Sequence, residues 1–159
     1  LYQSSENHIN ILFGNEAEYL HLGKKLNVLS PDIDNSLFLH KNINDLMIFI
    51  DQMLSIFKAE KIVIKRGENG SICGTYKNGM LKTISQPSYP VCVLDTTGAG
   101  DAFNAAFMFG ILMNSKTSEC LSFANKIGGL NCTKLGAQEL KIPENEIQPL
   151  IDSSLSNTH

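Results

Sequence analysis

Asp95-Thr96-Thr97-Gly98-Ala99-Gly100-Asp101-Ala102-Phe103 is the stretch on which the reading of this chain turns. Small residues surround Gly98 and Gly100, and Phe103, Phe107 and Ile111 then recur on one helical face. The spacing predicts a tight turn entering a helix, with Asp101 in its first turn. Glycines at such a junction let backbone N–H groups converge where the helix dipole is positive, which makes a cradle for an anion. A plain turn, with Asp101 complementing the helix N-terminus, uses the same geometry, and local physics does not separate the two. The motif is not a dinucleotide fingerprint, because Phe103 stands where the third glycine belongs, and the chain contains no G-x-x-x-x-G-K-[ST] loop.

Upstream, Val91-Cys92-Val93 reads as a short strand feeding this turn. Residues 71–76 and 80–84 read as two strands joined at Lys77-Asn78-Gly79, where Asn-Gly is a strong signal for a two-residue hairpin. Lys61-Ile62-Val63-Ile64-Lys65 is too continuously apolar for one-sided exposure and predicts an interior strand. Before it, Leu46, Ile50, Met53, Leu54 and Phe57 mark the buried face of a helix over 44–57. Residues 30–35, with Pro31, are loop-like. Ile-Asn-Ile-Leu-Phe at 9–13 predicts a strand ending at Gly14-Asn15, followed by a helix that fades near 25–27. Asn15 and Glu18 have the spacing of a capping box for that helix. Downstream, a helix is expected over 118–131 with Thr117 as its cap, then a short helix after Pro143 and a polar end. Strands alternating with helices give an α/β fold. No repeat, low-complexity tract or linker divides the chain, so one unit with one core is expected.

With 43% hydrophobic and 18% charged residues over 159 positions, the chain has the composition of an ordinary globular domain. A net charge of -3 carries no basic excess, so neither nucleic acid nor an anionic membrane surface is an expected partner. No apolar run approaches the roughly 20 residues that span a bilayer, nor does the start read as a secretion signal. Cys73, Cys92, Cys120 and Cys132 form no C-x-x-C, which suggests free thiols in a reducing, cytoplasmic setting, with Cys92 and Cys132 as small packing residues. His8, His21, His40 and His159 lack metal-ligand spacing. Asn69-Gly70-Ser71 and Asn131-Cys132-Thr133 match the glycosylation pattern only as short accidental strings.

Taken whole, D-T-T-G-A-G-D-A-F closely resembles the C-terminal signature of the ribokinase-like carbohydrate kinases, the PfkB family. Asn15-Glu16-Ala17-Glu18 is similar to that family's N-x-x-E motif, and Lys65-Arg66-Gly67-Glu68-Asn69-Gly70 to its nucleotide-site strand and turn. Phe123-Ala124-Asn125 and Cys132-Thr133-Lys134-Leu135-Gly136-Ala137 resemble the segments that enclose adenine and, in many members, a monovalent cation. The resemblance implies a Rossmann-like three-layer αβα sandwich, with a mostly parallel sheet carrying an antiparallel hairpin.

It also implies roles. Asp101 would be the base that takes a hydroxyl proton, and the N–H groups of Gly98, Ala99, Gly100 and Asp101 would receive the transferring phosphoryl of ATP. Asn15 and Glu18 would hold Mg²⁺, partly through waters, although the capping box uses the same side chains. Lys65, Gly67 and Gly70 would lie at the nucleotide, although the glycines also suit a β-turn, and family members often carry Thr where Lys65 stands. Asn125 would face the adenine, or point to solvent. Asp95 and Thr97, with carbonyls of Asn131, Lys134 and Gly136, would make a potassium-type site. Leu140 departs from that pattern, and Asp95 alternatively caps the loop.

The resemblance runs from about Ile9 to Pro143 and covers the C-terminal half of a domain about twice this length, a size one α/β domain reaches. The N-terminal half, which holds the acceptor-recognition residues and a β-sheet lid, would be a missing partner segment. An exposed sheet edge would otherwise favour a homo-oligomer. Ile11-Leu12-Phe13-Gly14-Asn15-Glu16 looks like the adenosine kinase branch, whereas the Thr-Thr-Gly-Ala-Gly and Lys-Leu-Gly-Ala strings look like sugar kinases. The acceptor class is thus a sugar or a nucleoside, with little turnover expected from the isolated chain. The alternative is a non-catalytic nucleotide-binding or regulatory module derived from such a kinase.

Overall fold

Extended chain at β1 (Ile9–Asn15) leads into α1 (Glu16–Lys25) and α2 (Ile43–Phe57), and the chain returns as β2 (Ala59–Lys65) parallel to β1. The computed structural model describes residues 9–30, 43–136, 144–145 and 147–149. β1 and β2 run in register from Ile9 beside Ala59 to Asn15 beside Lys65, so β1 continues two residues past its expected end at Phe13. Ile62, Val63 and Ile64 are all buried. Successive strand residues face opposite sides, so both faces of β2 are covered, as its unbroken β-branched run requires. β3 (Ser71–Lys77) and β4 (Met80–Gln86) complete a sheet of order β1-β2-β3-β4. Asn78 and Gly79 join them with φ of 54° and 75°, the two left-handed positions of a type I′ hairpin turn. The short connection from β2 to β3 is likewise too brief for a parallel crossover. The result is a mixed sheet in an α/β fold, with its parallel ladder at β1–β2.

The chain forms two compact units where the sequence suggests one core: residues 1–66 with 72–83, and residues 67–71 with 84–159. It crosses between them after Arg66 and within β3 and β4 rather than at a linker, so no shift in composition marks the boundary. In the first unit, Leu46, Ile50, Met53 and Leu54 of α2 are buried as their spacing predicts, and Phe49 joins them. Tyr19 from α1 meets Phe49 edge-on at 6.2 Å and donates its hydroxyl to the Leu12 carbonyl at 2.8 Å. Burial, with the charge of Glu18 second, pushes the Tyr19 phenol far above its ordinary range, so it remains a donor. Each such buried apolar side chain contributes roughly 1.5–3 kcal/mol.

In the second unit α3 (Ala99–Leu112) packs on α4 (Thr117–Asn131). Phe103 and Phe107 are buried and stacked 6.4 Å apart, while Ile111 sits half-buried at the margin of their face. Gly110 admits α4, since a Cβ there would stand 2.8 Å from Cys120 Sγ.

Several expectations are corrected. Val91-Cys92-Val93 is not a strand: Val93 and Leu94 are exposed, and the N–H groups of Leu94 and Asp95 bond to the Cys132 carbonyl instead of a strand neighbour. Cys92 is therefore exposed rather than packed. Thr117 is the first residue inside α4, and the cap is Lys116, whose N–H donates to Glu119 Oε2 at 2.9 Å. All four cysteines are free thiols. Asn131 is buried, which excludes its glycosylation in the folded chain. Residues 144–145 and 147–149 are helical, whereas Pro31, His8, His40, His159, Leu140 and the polar end lie outside the described residues. Among those residues no helix is long and apolar enough to cross a membrane.

Gly70 and Gly67 provide a paired test of backbone constraint. Gly70 has φ +78°, and a Cβ there would collide with the Gln86 carbonyl oxygen and with the Pro87 carbonyl carbon at 2.6 Å. Gly67 has φ +53° with open space around it. Gly67→Ala should cost roughly 1–2 kcal/mol, the left-handed penalty alone. Gly70→Ala should cost more than about 3 kcal/mol, because strain and collision add. Urea denaturation of both variants measures the difference, and equal losses would refute the close approach.

Candidate functional site

α3 begins as its sequence predicts. Gly98 is its N-cap in the left-handed region, at φ 78°, and no side chain caps the helix. The Ala99 N–H turns back to the Thr96 carbonyl at 3.1 Å, and Ala102 N–H closes the first helical bond on Gly98 at 2.9 Å. Ala99 is therefore a turn donor, which removes its N–H from the set expected to receive an anion. Gly100 and Asp101 lie at positions whose N–H groups have no intrahelical acceptor. The carboxylate of Asp101 is exposed and has no partner among the described residues. A helix start of this kind can hold an anion while a carboxylate stands ready to accept a proton beside it.

The loop before α3 is tied to the end of α4. Asp95 Oδ1 accepts from Thr97 N–H at 2.9 Å and Thr97 Oγ1 at 2.7 Å, and its Oδ2 accepts from Gly136 N–H at 2.9 Å. The Thr97 hydroxyl first, then the two N–H donors, hold the Asp95 carboxyl below its ordinary range. Being depressed, it keeps this knot at neutral pH and loses it only as acid reaches the lowered value. Asn131 Nδ2 donates to the Thr97 carbonyl at 2.8 Å, and the Asn131 carbonyl accepts from Lys134 N–H at 3.2 Å. Of the expected cation ligands, Asp95 and Thr97 thus form a loop cap. Asn131 contributes its side chain, Gly136 its N–H at φ 79°, and Lys134 closes a turn with its side chain exposed.

Residues 67–70 form a short 3₁₀ turn, closed by Gly70 N–H on the Gly67 carbonyl at 3.1 Å. The backbone that approaches Gly70 is that of residues 86–88, not a ligand, and Ser88 Oγ donates to the Glu68 carbonyl at 2.7 Å. Asn125 points neither to solvent nor freely into a site. It is buried, and its Nδ2 donates to the Gln86 and Pro87 carbonyls at 3.2 and 2.9 Å. Beside this segment, Lys126 Nζ lies 5.5 Å from the ring centroid of Tyr89.

In the first unit, Asn15 and Glu18 form the capping box: Asn15 N–H donates to Glu18 Oε2 at 2.7 Å, and Glu18 N–H to Asn15 Oδ1 at 2.8 Å. Both are exposed. Lys65 ends β2 half-buried, opposite Asn15 in the ladder, and Arg66 Nε pairs with Glu16 at 3.1 Å. Among the described residues no three His, Cys, Asp or Glu side chains are grouped to hold a metal. A fully hydrated ion touched through one carboxylate is the form these residues suit. The residues missed by sequence reasoning are the Asn131 side chain and Gly128, one turn apart on α4. Their signal is small and polar residues on the helix face nearest the glycine motif.

A profile of the pfkB family carbohydrate kinases matches residues 1–145. The ribokinase of Bacillus subtilis is 34% identical over 124 residues, which is 75% of this chain and 41% of that protein. The 2-dehydro-3-deoxygluconokinase of Haemophilus influenzae is 30% identical over 133 residues, 82% of this chain and 40% of its own. The structure of Arabidopsis thaliana ribokinase complexed with ribose and ATP matches with a TM-score of 0.68 at 26% identity, covering 90% of this chain and 41% of that one. The chain spans about two fifths of the length of these relatives, at 41%, 40% and 41%. A family profile that extends over nearly the whole sequence, on a fold shared with ribokinase, means that this chain belongs to the pfkB family of carbohydrate kinases.

Proposed function

We propose that the chain carries the ATP-binding portion of a kinase that transfers the γ-phosphoryl of ATP to a hydroxyl of a sugar or nucleoside. The observation that carries this reading is the helix start at Gly98, uncapped by any side chain, with the carboxylate of Asp101, which has no partner among the described residues, three residues on. Family membership and the ATP bound in the related Arabidopsis structure support it.

In this reading the N–H groups of Gly98, Gly100 and Asp101 face the transferring phosphoryl at the positive end of α3. Asp101 accepts the proton of the acceptor hydroxyl as its oxygen bonds to phosphorus and the bond to the ADP oxygen breaks. Asn15 and Glu18 would hold Mg²⁺ through waters, and the ion would supply positive charge that offsets the phosphates. Glu18 has one carboxylate oxygen outside the capping box for that contact. A potassium-type ion would rest on lone pairs left at the Asp95 carboxylate and the main-chain carbonyl of Asn131. The 67–70 turn and the segment held by Asn125 would flank the nucleotide, with Lys65 at the end of β2.

Titration of the chain with ATP and Mg²⁺ by calorimetry tests the cradle. Gly98→Val introduces a β-branched side chain at φ 78° and should abolish saturable binding, whereas unchanged affinity would remove the cradle from the reading. Asp101→Asn keeps the shape but not the base. It should lower turnover on ribose, fructose or adenosine in the full-length protein by about 10²–10⁴-fold while sparing ATP binding. Retention of most of the rate would show that Asp101 is not the base.

A further inference from the structure

The side chain of Asn131 has no task in the kinase reading, yet it is 1% exposed and donates to the Thr97 carbonyl at 2.8 Å. One turn earlier on α4, Gly128 lets the helix close on α3: a Cβ there would lie 3.2 Å from the Ala99 carbonyl oxygen and 3.4 Å from Phe103 Cβ. These two contacts bracket Gly98, the left-handed N-cap. Peptide planarity gives them a consequence, because a trans peptide directs its carbonyl and its N–H to opposite sides. The Thr97 carbonyl shares a peptide plane with the Gly98 N–H, and the Ala99 carbonyl shares one with the Gly100 N–H. Holding both carbonyls on the α4 side therefore turns both N–H groups away from it, toward the anion.

We infer that Asn131, backed by the bare surface of Gly128, is a positioning residue that aims the cradle N–H groups at the phosphoryl groups of ATP. This rests on the kinase reading above. It does not follow from the knot at Asp95, which orients Thr97 through its N–H and hydroxyl but leaves the Thr97 carbonyl to Asn131. Without the amide the Thr97–Gly98 peptide loses the partly buried hydrogen bond that fixes its carbonyl and is freer to rotate.

Asn131→Leu keeps the approximate volume and removes the donor without adding charge. ATP affinity in the presence of Mg²⁺ should fall about tenfold by calorimetry, as expected for loss of one buried hydrogen bond. Amide hydrogen exchange, followed without nucleotide, should quicken at residues 97–101 while the middle of α4 and β2 keep wild-type rates. Because loss of this partly buried hydrogen bond can also cost folding, Gly128→Ala is the second probe. It presses on the Ala99 carbonyl with no polar loss and should weaken ATP by about threefold with the same local exchange pattern. Faster exchange throughout both helices would make the role merely structural and overturn the inference. So would wild-type ATP affinity in both variants. Failure of the unmutated chain to bind ATP would instead overturn the kinase reading, and the inference with it.

Discussion

A carbonyl held in place by a buried amide, Asn131 on Thr97, is the constraint on which the geometry of the glycine-bounded helix start depends. A helix N-terminus attracts anions in general, but its field falls away within a turn, and only N–H groups that converge make a cradle. Gly98 can adopt its left-handed conformation and yet point its N–H in many directions. The amide of Asn131, the carboxylate of Asp95 and the Cys132 carbonyl together limit that freedom, all from within one compact unit. A net hydrogen bond is worth only about 1 kcal/mol, whereas a buried polar group left unpaired costs about 1–3 kcal/mol, so the buried Asn131 amide is held to Thr97 more by the penalty of losing its partner than by the gain of making the bond.

The first unit obeys a different rule. There the apolar stripe of α2 on β2 supplies the stability, and polar groups appear at its margins: the Tyr19 hydroxyl on Leu12, the capping box of Asn15 and Glu18, and Arg66 on Glu16. In the proposed function the capping box would serve scaffold and chemistry with one pair of side chains. Asn15 and Glu18 start α1, and the oxygen that Glu18 keeps outside the box is the one the proposed Mg²⁺ water shell requires.

Most elements were legible because their signals are local. The β-branched run at 61–65, the Asn-Gly hairpin and the three-and-four spacing in α2 each act over a few residues, and each appears where the pattern puts it. Val91-Cys92-Val93 failed because extended residues become a strand only when a neighbour offers backbone partners, and here the partner is the end of a helix. Of the two readings of Asn125, facing the adenine or pointing to solvent, the second fails for a related reason. A helical Asn looks solvent-facing until another segment brings carbonyls to it, as residues 86 and 87 do. The division into two units was hidden because the chain crosses after Arg66 and within strands β3 and β4, with no compositional mark.

By itself the sequence determined the α/β class, the glycine-bounded start of α3, the placement of Asp101 in its first turn and the family resemblance, since each depends on residues near one another in the chain. Tertiary structure alone decided which of those groups are available. It took the N–H of Ala99 into a turn, both amide hydrogens of Asn125 into the scaffold, and the backbone next to Gly70 into contact with residues 86–88. It also brought Asn131 to Thr97, 34 positions away in the chain. The physical reason is that a hydrogen-bonding group has a limited number of partners, and which partner arrives first is settled by packing between distant segments rather than by the order of residues.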